Sequence, residues 1–452
     1  MKKSVVLSAL CSLMWLGVSG GIAAADSGDI AFIEDTDGAI NSSASMLNVY
    51  NQKASCAFYK NHADIYDVQF IFTTQSLPLI FQTPAGWTVK TATKGIGRDM
   101  TMDQTTSYCA KSGRLKHSVK MGEVGLMPGD PDAQWLGNKG IPYTGLELIA
   151  HEMGHYWMAR INYKKDGADH CLLRTLMGDP TEGTCDGYKV SDFGVHWSYF
   201  FNSRSPMFGS FIDDLGDGTF KIYHDHPKYS HLDQYLMGLR YPEQVEPMFL
   251  IKTMDMSKSG NTPLLIGQSE VVEGERVDIS IQDVIDSNGA RVPDRDPCHW
   301  KAVFAIVHPK GQPPTKDQIA KIETYRARWE AYYEWATDGR GSVDTTLDGR
   351  GTGTAKCPGL PTPGNPDAGV EIDAGIDASH DAAVSDAGAK DGGRPDGGTK
   401  DAGVPDGSSV ADASTAPDDA AAPDAGGAGP DGGTDVPQDN PAAGCSCAAV
   451  GL

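Results

Sequence analysis

An α+β domain over residues 26–357 is what the patterning predicts, on three observations. Short runs of β-branched and aromatic residues, bounded by polar turns, recur along this stretch. Two long segments, 144–161 and 317–335, have apolar residues at helical spacing. Long helices with strands on either side argue for α+β rather than a doubly wound parallel sheet. No internal repeat is visible in this part.

The chain of 452 residues begins with Lys2 and Lys3, an apolar middle over 5–18, and Ala23-Ala24-Ala25 before Asp26. That order is the pattern of a signal peptide over 1–25, so the protein is expected to be secreted and extracellular. Residues 66–72 (YDVQFIF) read as a strand, and 116–124 as another near the presumed site. Thr144 and Glu147 form a capping box at the start of helix 144–161. Further on, 271–285 and 302–307 read as strands, and Thr315 with Gln318 opens helix 317–335. The aromatic residues from Tyr325 to Trp335 are spaced like a face packing against the body. "DDLGDGTF" at 213–220 sets carboxylates around glycines, but Leu215 stands where a calcium loop needs oxygen, so a hairpin turn is expected.

Charge separates the chain into two regimes. The net charge is −22, yet residues 358–452 alone contribute −14, from sixteen Asp and one Glu against Lys390, Arg394 and Lys400. Residues 26–357 therefore carry −10, which excludes a basic nucleic-acid footprint. Residues 358–441 are Asp, Ala, Gly and Pro with "DAG" recurring at Asp367, Asp373, Asp386 and Asp401. Such a tract buries too little apolar surface to offset chain entropy and is expected to be a disordered linker. The last stretch, 442–452, carries Cys445 and Cys447. It resembles the cysteine-bearing start of the C-terminal sorting tails of myxobacterial surface proteins, and that resemblance implies cell-surface attachment. Those tails continue into a hydrophobic segment and a basic end, beyond the stretch that matches here.

The chemistry is concentrated in "ELIAHEMGHYW", where His151-Glu152-Met153-Gly154-His155 spells H-E-x-x-H. Residues four apart lie one above the other on a helix, so both imidazoles can reach one ion. At about 100° per residue, His151, Glu152 and His155 share one arc, while Leu146, Ile149, Ala150, Met153, Trp157 and Ile161 occupy the other. Histidine suits zinc, and Glu152 is then placed as general base. The motif resembles that of zincin-class zinc metallopeptidases, which implies a zincin-like fold, a Zn2+ cofactor and a protein or peptide substrate. Met158 and Ile161 stand where the metzincin extension would have glycine and a third histidine. The third ligand must come from elsewhere.

Two segments offer it. "GVHWSYFFNSRSPMFG" supplies His196, and "YSHLDQYLMGL" supplies His231 and Asp233. His196 is preferred, because an imidazole completes an all-nitrogen site. Asp233 is the runner-up, since Ser230-x-x-Asp233 gives it a helix-capping role of its own. Met207 reads as a core methionine, with a place beneath the metal as the sharper alternative. The expected function is a secreted or surface-displayed zinc endopeptidase; the rival is a non-catalytic cell-surface binding module with a structural or vestigial zinc site. Six cysteines, Cys56, Cys109, Cys171, Cys185, Cys298 and Cys357, fall before the linker, enough for three disulfides in an oxidising compartment. Cys171–Cys185 is the pairing favoured by its short loop, and Cys56 or Cys109 is a further candidate for latent zinc ligation within 26–110.

Overall fold

Strands whose side chains alternate between two apolar faces build the centre of the domain. The computed structural model describes residues 26–78, 84–98, 101–135, 143–173, 195–252, 263–349 and 445–446. The expected signal peptide 1–25, Cys185, Cys357, the expected linker 358–441 and the rest of the stretch 442–452 lie outside the described residues.

In chain order the elements are β1 (Ile30–Asp35), α1 (Leu47–Phe58), β2 (Val68–Thr73), β3 (Ala85–Thr88), β4 (Lys90–Thr91), β5 (Met102–Asp103), β6 (His117–Glu123) and α2 (Gly145–Gly154). Next come β7 (Asn162–Lys165), β8 (Ala168–Cys171), β9 (Phe211–Asp214), β10 (Thr219–Tyr223), α3 (His231–Leu236), β11 (Met248–Lys252), β12 (Ser269–Glu273) and β13 (Glu275–Ile279). α4 (Ile281–Asn288), β14 (His299–Pro309), α5 (Lys316–Ala336), β15 (Ser342–Asp344) and the two-residue β16 (Cys445–Ser446) complete the set.

The main sheet runs β1-β14-β2-β6-β3. β1, β14, β2 and β6 are mutually parallel, and β3 turns antiparallel to β6. β16 lies antiparallel along β3, with Cys445 opposite Gly86. β15 extends β14 in parallel. Separate small antiparallel sheets, β12-β10-β9 and β11-β13 among them, stand outside this sheet. This mixture is compatible with α+β, although the central strands are parallel.

Period-two alternation explains which helices lie on which face. Phe70, Phe72, Phe304 and Ile306 point to one side, where they meet Ile149 and Met153 of α2 and Ile322, Tyr325 and Trp329 of α5. Ile71, Val303, Ala305 and Val307 point to the other, against Tyr50, Ala54 and Phe58 of α1. Strands covered on both faces read as continuous apolar runs, which is why 66–72 and 302–307 are legible as strands. The aromatic helix packs as core: Tyr325, Trp329 and Tyr333 are fully buried. No helix among the described residues is long and apolar enough to cross a membrane.

Two expectations need correction. Residues 271–285 are not one strand: β12 pairs with β10, β13 pairs with β11, and Gly274 separates them. Ser280 then caps α4, its side chain accepting from the Asp283 backbone while Asp283 returns a bond to the Ser280 N–H. The second correction concerns α2, which stops at Gly154 instead of reaching Ile161. A local bond and a tertiary contact accompany its end. The Arg160 guanidinium donates to the carbonyls of His155 and Met158, each at 3.0 Å. Ala159 turns into the left-handed region at φ 58°. The following backbone passes so close to Gly97 that a Cβ there would lie 1.8 Å from the Arg160 carbonyl oxygen.

The stretch 213–220 forms the β9–β10 hairpin, its turn pinned by Asp214 accepting from Gly216 N at 2.9 Å and Asp217 from Thr219 N at 3.0 Å. Cys56 and Cys109 form a disulfide across 53 residues, joining α1 to the turn before β6. Neither thiolate is therefore available for the latent zinc ligation raised above. Cys171 and Cys298 are also disulfide-bonded. The Cys171–Cys185 pairing involves a residue outside the described ones.

Candidate metal centre

α2 is set by local chemistry. Thr144 accepts from the Glu147 N–H at 3.2 Å, and the Glu147 carboxylate accepts from the Thr144 N–H at 2.8 Å. Glu147 also receives a 2.6 Å bond from His226 Nδ1, which raises the His226 pKa. One turn before the helix ends, Tyr229 donates to the Ala150 carbonyl at 2.7 Å. These contacts anchor the helix that carries His151 and Glu152, with His155 as its C-terminal cap.

The imidazoles of His151, His155 and His196 converge. His151 Nε2 lies 3.2 Å from His155 Nε2 and 3.2 Å from His196 Nε2. All three side chains are buried, and one ligand atom from each lies within 4.8 Å of the others. The Nδ1–H of His151 donates to the Pro206 carbonyl at 2.6 Å, so its Nε2 carries the lone pair and faces the other two rings. Burial, reinforced by the neighbouring imidazoles, drives the His155 pKa well below the ordinary histidine range. Neutral imidazoles are what a metal ion requires. Two ligands on one tetrahedral zinc, at bonds of ~2.0–2.1 Å, stand roughly 3.3 Å apart, so the spacing fits.

The second half of the centre comes from the turn after His196. Ser205 Oγ accepts from Met207 N at 3.1 Å and from Trp197 Nε1 at 3.2 Å. The Met207 carbonyl accepts from Trp197 N at 2.9 Å. Met207 is core and also lies against the motif: a Cβ on Gly154 would meet its Sδ at 2.4 Å. Phe208, left-handed at φ 63°, lays its ring over His196 at 4.3 Å and over His151 at 4.7 Å.

Asp233 does not join the three histidines. Its Oδ2 accepts from Ser230 N at 2.9 Å, which is the capping role read from the sequence, and its Oδ1 accepts from Trp197 Nε1 at 3.1 Å. Complete burial raises its pKa to about 6. His231 begins α3, with its Nδ1 3.8 Å from Glu246 Oε2, and is not among the grouped ligands.

Some contributors carry no motif. His117 on β6, where burial lowers the pKa to about 3, donates from Nε2 to the Glu152 carbonyl at 2.9 Å. β3 passes directly beside this bond, since a Cβ on Gly86 would lie 2.7 Å from both partners. Burial also lowers Lys120 to about 8, with the Glu152 carboxylate opposing the shift. Glu152 itself is fully buried. The sequence marks strand 116–124 but gives no sign that His117 meets the motif, because only the sheet order brings β6 under α2.

No protein-family model, curated protein or solved structure matches the chain. The functional reading therefore rests on the site.

Proposed function

We propose that the protein is a secreted or surface-displayed zinc-dependent endopeptidase of the H-E-x-x-H type. The observation that carries this reading is the convergence of His151, His155 and His196 with Glu152 on the same helix. Zinc suits three neutral imidazoles, and when bound it supplies Lewis acidity that polarises a peptide carbonyl and acidifies a water.

The chain's own residues do the rest. Pro206 fixes the tautomer and orientation of His151 through the bond to Nδ1. Ser205 and Asp233 hold Trp197, and so set the backbone that presents His196. Glu152 is the general base: its carboxylate takes a proton and passes it to the leaving amine. His117 holds the Glu152 backbone against the sheet. Burial of the cluster strengthens every charge interaction within it.

The test uses the purified full-length chain, measuring zinc content and cleavage of a casein-type substrate. Cleavage should stop on chelation and return with Zn2+. Tightly held zinc without cleavage would transfer the site to the rival reading, a binding module with a structural metal.

A further inference from the structure

On the opposite face of the main sheet, at the end of α1, a second group of ligating side chains meets away from the first. His62 follows α1 and stacks flat on Phe58, with ring centroids 4.3 Å apart at 12°. Its side chain is only 5 % exposed, and its Nδ1 has no hydrogen-bond partner. That nitrogen points at Asp348 Oδ2, 3.5 Å away, while Nε2 lies 3.8 Å from Asp26 Oδ2. Both separations are too long for hydrogen bonds. One ligand atom from each of the three residues lies within 4.8 Å of the others.

The far oxygen of each carboxylate accepts a backbone bond, that of Asp348 a long one of 3.4 Å from Ala63 N. Asp26 Oδ1 accepts from Phe32 N at 2.9 Å. Asp348 is anchored through its own N–H, which donates to Tyr66 Oη at 2.7 Å. Each carboxylate therefore keeps an oxygen free to face the imidazole. The 3.5 Å gap is close to the roughly 3.3 Å between neighbouring ligands on one zinc ion.

We propose that Asp26, His62 and Asp348 form a second divalent-metal site, structural in role and of zinc type, closing the two ends of the domain onto α1. One nitrogen and two carboxylate oxygens suit a first-row ion better than calcium, which seeks six to eight oxygens. His62 binds through Nδ1, the nitrogen that faces Asp348, and Asp26, now beside Nε2, swings its Oδ2 round to the same ion. Asp26 and Asp348 are 28 % and 38 % exposed, so water completes the coordination. The ion ties β1 to the turn after β15, which are far apart in sequence, and cross-links that close long loops constrain the unfolded chain most.

The experiment titrates Zn2+ into the EDTA-treated full-length chain by calorimetry and follows thermal unfolding in parallel. The wild type should bind two equivalents, and His62→Ala and Asp348→Asn one each, with peptide cleavage unchanged. In a His155→Ala background one equivalent should remain and should disappear when His62→Ala is added. Zn2+ should raise the unfolding temperature of His155→Ala but not of the double variant. Asp348→Asn, nearly isosteric, decides the matter if His62→Ala fails to fold by circular dichroism. Full retention of both equivalents by His62→Ala and Asp348→Asn overturns the proposal. So does stabilisation through His62 that responds to acid and not to Zn2+, which would mark an imidazolium between two carboxylates. Failure of the first site instead would appear as zinc binding that depends on His62 and not on His155.

Discussion

His151, His155 and His196 are 0 %, 1 % and 5 % exposed beneath a Phe208 ring, whereas Asp26 and Asp348 approach His62 with their carboxylates a third open to water. The buried group is all nitrogen, and two of its members come from one helical turn. The open group mixes nitrogen with oxygen and draws on both ends of the domain. Deep burial of the imidazoles prepares a rigid site before any ion arrives, at the cost of packing every neighbour around it. An exposed carboxylate pair needs no such preparation, because water serves it equally well. The first arrangement suits chemistry, the second suits fastening.

Five substitutions bear on this contrast, taken from the largest effect to the smallest. Glu152→Gln should lower peptide turnover by about 10²–10⁴-fold while zinc content stays at the wild-type level. Loss of zinc, or full activity, would remove Glu152 from the role of base.

His196→Ala should weaken zinc binding at the buried group by orders of magnitude, with the open group untouched. Asp233→Ala should keep zinc and instead lose about 2 kcal/mol of stability, a helix cap together with the partner of the Trp197 N–H. Competition against a graded chelator, beside urea unfolding, separates the two. Tight zinc in His196→Ala would break the assignment.

Asp233 also predicts a pH dependence. Its folded pKa of about 6 lies above the ordinary 3.8, so the folded state holds this proton more tightly than the unfolded one. Its contribution to stability is fully present below about pH 4 and is lost as pH rises through about 6, by up to about 3 kcal/mol for a fully buried group. Urea midpoints from pH 4 to 7 should show the wild type losing ground to Asp233→Asn over that window. A constant difference between the two would sink the idea.

Gly154→Ala should cost about 1–3 kcal/mol despite alanine's better helix propensity, because the new methyl enters space filled by Met207 Sδ. A stabilised variant would show that Met207 can move aside and that the buried group is looser than its packing implies.

Features set by neighbours in sequence were legible in advance. The capping boxes at Thr144, Ser230 and Thr315, the hairpin at 213–220 and the register of His151 with His155 each depend on residues within about a turn of one another. Features set by distant packing were not. Nothing in 144–161 announces that the chain beyond Gly154 must turn away to pack against Gly97. Periodicity also failed over 271–285, where apolar residues at strand-like spacing belong to two strands and the opening of α4. At the site, His196 could be named as a candidate from residue type alone, but its bracing by Ser205, Asp233 and Phe208 exists only once α3 and the turn after His196 have folded together. His117 is the extreme case, a strand residue tied to the motif solely by sheet order.

The early end of α2 also shapes the electrostatic field. Aligned peptide dipoles leave roughly half a negative charge at a helix C-terminus. Had the helix continued to Ile161, that charge would lie about 10 Å beyond Gly154, at 1.5 Å of rise per residue. Ending at Gly154 brings it within a turn of His151 and His155, where it favours a bound cation. The Arg160 guanidinium sits on the same end and opposes protonation of His155. The dipole end and the Arg160 guanidinium thus act on the cluster with opposite sign, and it is burial, more than the local potential, that keeps a proton off His155 and leaves its lone pair for a cation.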